Sequence, residues 1–103
     1  MSYETVFSAL SNPVRRSILE RLRDNPSSVR NLADHYPYSQ PAISQHLKTL
    51  KDAGLVDDTA EGTRRIYRVR PEGMRMLKTY LEQHWQTFLM SLGEDEEDDE
   101  IND

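Results

Sequence analysis

Cysteine is absent from this 103-residue chain. That absence removes disulfides, thiolate nucleophiles, thiolate metal ligands and thiol redox switches from consideration. Long apolar runs are missing as well. None approaches the roughly 18 residues that a bilayer span requires, and the opening MSYETVF lacks the basic-then-apolar order of a secretory signal. A cytoplasmic protein with no membrane partner is expected. The chain also has no G-x-S-x-G elbow, no phosphate loop and no cluster of histidines with carboxylates, so no catalytic site is expected and the reading is not an enzyme. His35, His46 and His84 are scattered. Glu82 and His84 are two residues apart, which puts them on nearly opposite sides of a helix, so neither a metal site nor a cofactor is expected.

What is present suffices for one folded unit. Hydrophobic residues make 36% of the chain and charged residues 30%, too apolar a mixture for wholesale disorder. The net charge of −5 is unevenly spread, because eight of the eighteen acids fall at Glu94 to Glu100 and Asp103. Residues 1–93 carry thirteen basic against ten acidic residues, a balance of +3. The expected organisation is a domain over residues 1–92 and an acidic, disordered tail over 93–103. The tail reads either as a solubility segment or as an electrostatic shield that keeps polyanions off a basic surface.

Hydrophobic spacing and punctuation lay out the domain. Tyr3, Val6, Phe7 and Leu10 recur at helical intervals, and Asn12-Pro13 is a cap followed by a first-turn proline, opening a second helix that runs to about Arg23. Val14, Ile18, Leu19 and Leu22 form its buried stripe. Ser27 or Ser28 caps a short third helix, Tyr36-Pro37-Tyr38 turns the chain, and Ser39 caps a fourth helix that Gly54 closes. Leu55–Asp58 and Arg64–Arg70 flank a turn-rich tip at Thr59–Thr63, which reads as a hairpin. Pro71 ends the hairpin, and Glu72–Leu92 is one long helix. The order is ααααββα, a mainly α fold with a β-hairpin (α+β).

Two short helices across a tight turn, followed by a β-ribbon, make a helix-turn-helix with a wing. In the fourth helix Ile43, Leu47 and Leu50 share the buried stripe. Pro41, Ser44, Gln45 and Lys48 then look outward, with Gln40 and Thr49 on the flanks. An amide that donates and accepts together suits adenine N6 and N7, and a hydroxyl serves several base edges, so this face fits a recognition helix. Helix N-terminal residues enter the groove first, which favours Gln40, Pro41, Ser44 and Gln45 as readers and leaves Lys48 and Lys51 for phosphates. Arg64, Arg65, Arg68 and Arg70 make the second strand a basic ribbon. Arg64 or Arg65 is expected to reach phosphates or the minor groove, and Arg68 and Arg70 to pair with acids such as Asp57 and Asp58. On the last helix Leu81, Trp85 and Phe88 offer more apolar surface than a small monomer leaves exposed.

The segments FSALSNPVRRSIL (7–19) and SQPAISQHLKTLKDAGLV (39–56) resemble the ArsR/SmtB family of bacterial and archaeal transcriptional repressors, a likeness that extends over about residues 3–92. The resemblance implies a dimeric winged helix-turn-helix that binds double-stranded DNA and represses by occupying an operator. By position, Ser39, Gln40, Ser44, Gln45 and His46 match the family's DNA-facing segment, and Arg64 and Arg65 its basic wing. The family's arrangement pairs first and last helices across a two-fold axis, which would bury Tyr3, Phe7, Trp85, Phe88 and Leu92 between subunits. The usual metal-sensing cysteines are missing from Asn31–Tyr36, so the resemblance names no effector. Two other readings remain beside the repressor: a metal- or ligand-responsive sensor of the same fold, and a winged helix used for protein contacts.

Overall fold

A computed structural model of the protein describes residues 2–100; residues 101–103 lie outside it, as do the side chains of Phe88 and of residues 91–100. The order is α1 (Tyr3–Leu10), α2 (Pro13–Asp24), α3 (Val29–Ala33), α4 (Gln40–Asp52), β1 (Val56–Glu61), β2 (Arg64–Val69) and α5 (Pro71–Glu100). This is the ααααββα winged helix expected from the sequence.

Side-chain caps begin the first four helices. Ser2, Asn12, Ser28 and Ser39 each sit in extended backbone and accept from an amide two or three residues on, satisfying donors that a helix start leaves unpaired. The end of α4 is equally defined. Gly54 takes φ +80°, its N–H donates to the Lys51 carbonyl at 2.9 Å, and the Leu55 N–H reaches back to the Leu50 carbonyl at 3.0 Å. This paired closure turns the chain directly into the wing and buries Leu55 beneath it.

The core lies where α1, α2, α3 and α4 meet. Val6, Ile18, Leu22, Leu32, Ile43, Leu47, Leu50 and Leu55 are essentially inaccessible, and Met74 and Leu77 of α5 pack on its edge. The hairpin is antiparallel, with Val56 opposite Val69 and Glu61 opposite Arg64. β1 therefore runs to Glu61, through most of the stretch expected to be the tip, and the turn shrinks to Gly62-Thr63. Gly62 alone of the two has positive φ, +66°, the pattern of a type II′ turn whose twist matches that of the strands. Ser27 and Tyr67 exchange backbone hydrogen bonds of 3.1 and 2.8 Å, tying the start of α3 to β2.

α5 begins against the wing base. A Cβ at Gly73 would meet the Gly54 carbonyl oxygen and the Leu55 Cα, so this approach of two backbones requires glycine. Farther along, the Tyr80 ring packs tilted against Tyr3, with ring centres 4.4 Å apart, and meets Phe7 edge-on at 5.0 Å, holding α1 to α5. The helix does not stop before Gly93, where the sequence suggests a disordered acidic tail; its backbone stays helical to Glu100. Glutamate favours helix, no proline intervenes, and an internal glycine costs only about 1 kcal/mol.

Candidate nucleic-acid interface

The fourth helix presents the face that its angular pattern implies. Ile43, Leu47 and Leu50 are fully buried, while Gln40, Pro41, Ser44, Gln45 and Lys48 are exposed. The side chains of Gln40, Ser44 and Gln45 make no hydrogen bond among the described residues, which leaves their donors and acceptors open. Ser39 differs: its Oγ accepts the Ala42 N–H at 3.3 Å, so its hydroxyl proton is what it can still offer.

Other members of the expected set are engaged within the protein. His46 is half-buried, its Nδ1 lying 3.3 Å from Arg15 Nη1. Desolvation first, and the Arg15 charge second, lower its pKa below the ordinary 6.5. A ring nitrogen facing a guanidinium N–H must accept, so the proton of neutral His46 sits on Nε2. Arg15 is itself fixed: its Nε donates to the Ala9 carbonyl at 2.7 Å and its Nη2 to that of Ser8 at 3.2 Å, while Arg16 donates to the Leu10 carbonyl at 2.7 Å. α1 has no basic residue in its last turn, and these two arginines of α2 stand in for one.

Lys48 pairs with Asp52 one turn on, at 2.9 Å. Lys51 reaches Asp58 Oδ1 at 2.7 Å, and Arg65 reaches Asp58 Oδ2 at 2.6 Å. The Asp58 side chain is only 3% exposed. The Lys51 hydrogen bond, chiefly, holds its carboxyl below the usual range, and the same bond raises the Lys51 ammonium.

Arg68 and Arg70 pair with acids as expected, but the acids are Glu61 and Glu72 rather than Asp57 and Asp58. Arg65, not Arg68 or Arg70, takes Asp58. Arg68 donates to Thr59 Oγ1 at 2.7 Å and lies 3.4 Å from Glu61, and Arg70 lies 3.9 Å from Glu72. The register explains it. Asp58 stands opposite Tyr67 and Ala60 opposite Arg65, so Asp58 and Arg65 are diagonal neighbours on one face of the ribbon, whereas Arg68 shares the other face with Thr59 and Glu61.

Two features escaped sequence reasoning. The sequence places Tyr38 only in a turn, yet it is 46% exposed beside the N-cap of α4 and stacks on Tyr36 at 6.4 Å. Tyr36 in turn is held by the Ser17 hydroxyl at 2.8 Å and lies under the Arg21 guanidinium. An aromatic repeated across Pro37 was the available signal. The second is Tyr80, which joins α1 to α5 and also packs on His84 at 4.4 Å.

On α5, Leu81, Trp85, Leu89 and Met90 are 40, 54, 45 and 67% exposed. Met74, Leu77, Leu81 and Trp85 line an open apolar groove of ≈ 530 Å³. Phe7 remains 38% exposed beside Tyr80, and Tyr3 is half-buried. The Phe88 and Leu92 side chains, also expected at a subunit contact, lie outside the described residues. Among the described residues, no group of three or more histidines and carboxylates is placed to hold a metal ion, and no helix is long and apolar enough to cross a membrane.

Comparison with known proteins joins this geometry to a family. Residues 12–58, which span α2 through the start of the wing, match the family described as "Bacterial regulatory protein, arsR family". The chain is 46% identical over 84 residues to the HTH-type transcriptional regulator Rv2034 of Mycobacterium tuberculosis, covering 82% of this chain and 78% of that one. The chain belongs to the arsR family of bacterial regulatory proteins. Solved structures of ArsR-type regulators share its fold. A possible transcriptional regulator for arsenical resistance superposes with a TM-score of 0.74 at 38% identity, over 85% of this chain and 92% of that one. A possible ArsR-family regulator from Mycobacterium bovis, solved in solution as a homodimeric winged helix-turn-helix DNA-binding domain, superposes with a TM-score of 0.66 at 30% identity, over 79% and 78%. As an arsR-family member the protein is a winged-helix, DNA-binding transcriptional regulator and not an enzyme.

Proposed function

We propose that the protein acts in the cytoplasm as a homodimer that represses transcription by occupying an inverted-repeat operator. The observation that carries the DNA reading is the row of exposed, uncommitted polar groups on α4, Gln40, Ser44 and Gln45. Amides and hydroxyls without internal partners lose water at little cost when base edges replace it. Gln40, Pro41, Ser44 and Gln45 read bases, with the Ser39 hydroxyl beside them. Lys48, Lys51, Arg64 and Arg65 supply positive charge to phosphates, and His46 supports the helix from behind through Arg15.

The dimer rests on α5. Leu81, Trp85 and Leu89 follow one stripe of α5 and form an apolar face that calls for a partner, and the Mycobacterium bovis relative is a homodimer. A two-fold dimer places its recognition helices in successive major grooves about 34–36 Å apart, which requires operator half-sites one helical turn apart. Residues 93–103 serve as an electrostatic shield, lowering affinity for DNA that lacks the operator.

Binding-site selection from random DNA, followed by footprinting, tests the reading. An inverted repeat protected symmetrically is the expected result. Failure to enrich any sequence would end the operator reading, and a single asymmetric site would end the dimeric one.

A further inference from the structure

The start of α3 lies against the wing because Ser27 and Tyr67 exchange both backbone hydrogen bonds. The buried Ser28 then caps α3, and Arg30 follows within the first turn. Arg30 of α3 and Thr63, Arg64 and Arg65 of the wing thereby line one open groove of ≈ 420 Å³, with Val29 and Tyr67 as its apolar part. Three arginines line this groove, and no acidic residue does.

Their charges are unequally compensated. The Arg65 Nε is taken by Asp58 at 2.6 Å. Arg64 stands opposite Glu61 in the strand register, but the Glu61 carboxylate lies 3.4 Å from Arg68 instead. Arg64 therefore forms no ion pair among the described residues, and neither does Arg30. Both are exposed. Two arginines without an ion pair among the described residues, carried by separate elements that the backbone ties together, line one concavity.

We propose that Arg30 and Arg64, together with the Thr63 hydroxyl, hold one phosphodiester of the DNA backbone on the flank of the bases read by α4. Planar guanidinium donors match the paired nonbridging oxygens of a phosphate. In a helix-turn-helix the first helix crosses the backbone while the second enters the groove, so α3 is the element that meets a phosphate. The notch deepens the operator reading, on which it rests, by adding Arg30 to the interface. It contributes affinity and register without sequence information.

The test is a set of salt titrations with the full chain and its variants Arg30→Ala, Arg30→Lys, Arg64→Ala, the double variant Arg30→Ala/Arg64→Ala and Gln45→Ala, on the selected operator and on a scrambled duplex of equal length. Each phosphate contact contributes about 0.9 to the slope of log K against log salt. Because the two arginines share one phosphate, the double variant Arg30→Ala/Arg64→Ala is expected to lower that slope by about 0.9 for each subunit bound, each single variant by part of that, and all three to weaken operator and scrambled duplex by the same factor. Arg30→Lys keeps the charge and should keep the slope. Unchanged thermal unfolding of Arg30→Ala confirms that the effect lies in binding. A slope for Arg30→Ala equal to that of the unmodified protein overturns the notch, while Gln45→Ala in the same series shows whether α4 reads bases. If no duplex is preferred yet Arg30→Ala still lowers the slope, the notch stands and the base-reading face falls. Saturable binding of inorganic phosphate at constant ionic strength, with DNA slopes unaffected by either arginine, would assign the groove to a free anion and overturn the proposal.

Discussion

Asp58 of the wing holds Lys51 of the recognition helix at 2.7 Å, from a side chain that is 3% exposed. Its other oxygen takes Arg65 at 2.6 Å. One carboxylate thus offsets one of two positive charges on the DNA-binding side, leaves the trio at +1, and bridges α4 to the wing. Asp58→Asn is expected to release both charges, strengthening binding to scrambled duplex more than to operator and steepening the salt dependence. Filter binding on the two duplexes at several salt concentrations reads it; equal gains on both would show that the carboxylate does not govern specificity.

The same cluster sets a pH window. Asp58 is held below the ordinary 3.8, so its contribution to stability is complete above that value and is lost as pH falls through the lowered folded value. Lys51 is raised above 10.5, so its contribution is complete below 10.5 and is lost as pH rises through the raised value. For His46 the folded pKa lies below 6.5, and stability falls as pH drops from 6.5 towards it, because there the unfolded chain binds more protons. An imidazole titration followed by NMR should show a midpoint below 6.5 that moves upward in Arg15→Ala. A midpoint unmoved by that substitution would remove Arg15 as a cause.

Gln45→Ala removes the most outward amide on α4. If the amide makes a bidentate contact to adenine, the variant loses about 1–3 kcal/mol on the operator and relaxes preference at one position of each half-site. Repeating the selection with the variant checks this. The same enriched sequence would exclude Gln45 as a reader.

Replacing Leu81 and Trp85 together by alanine is expected to give a folded monomer, because both side chains are exposed on α5 and neither belongs to the buried core. Sedimentation should show the mass of one chain, 12.0 kDa, with helical circular dichroism retained. A variant that remains dimeric would move the subunit contact elsewhere.

Gly73→Ala should destabilise the protein by about 1–3 kcal/mol, in the range of overpacked sites. The added carbon meets the Gly54 carbonyl and the Leu55 backbone, and backbone atoms cannot rotate aside. Urea unfolding measures the loss; a variant as stable as the parent would mean that α5 lifts off the wing base without cost.

Most of this architecture was written locally in the chain. Asn12-Pro13, Ser28, Ser39 and Gly54 mark helix ends by their own side chains or backbone, and Ile43, Leu47 and Leu50 determine the buried stripe of α4. The outward set of Gln40, Pro41, Ser44, Gln45 and Lys48 follows once that stripe is placed. These features depend on residues within a turn or two of each other, which is why periodicity and capping reveal them. What only the tertiary structure decided is which charge meets which. Four wing arginines and their acids admit several pairings, and the choice of Arg65 for Asp58, of Arg68 for Glu61, and of an open Arg64 came from the strand register and from the distance between α4 and β1. The contacts of His46 with Arg15, Tyr80 with Tyr3, and Gly73 with Gly54 likewise join residues 19 to 77 positions apart in sequence. Such contacts depend on how packed elements are oriented in space, and no spacing along the chain encodes that orientation.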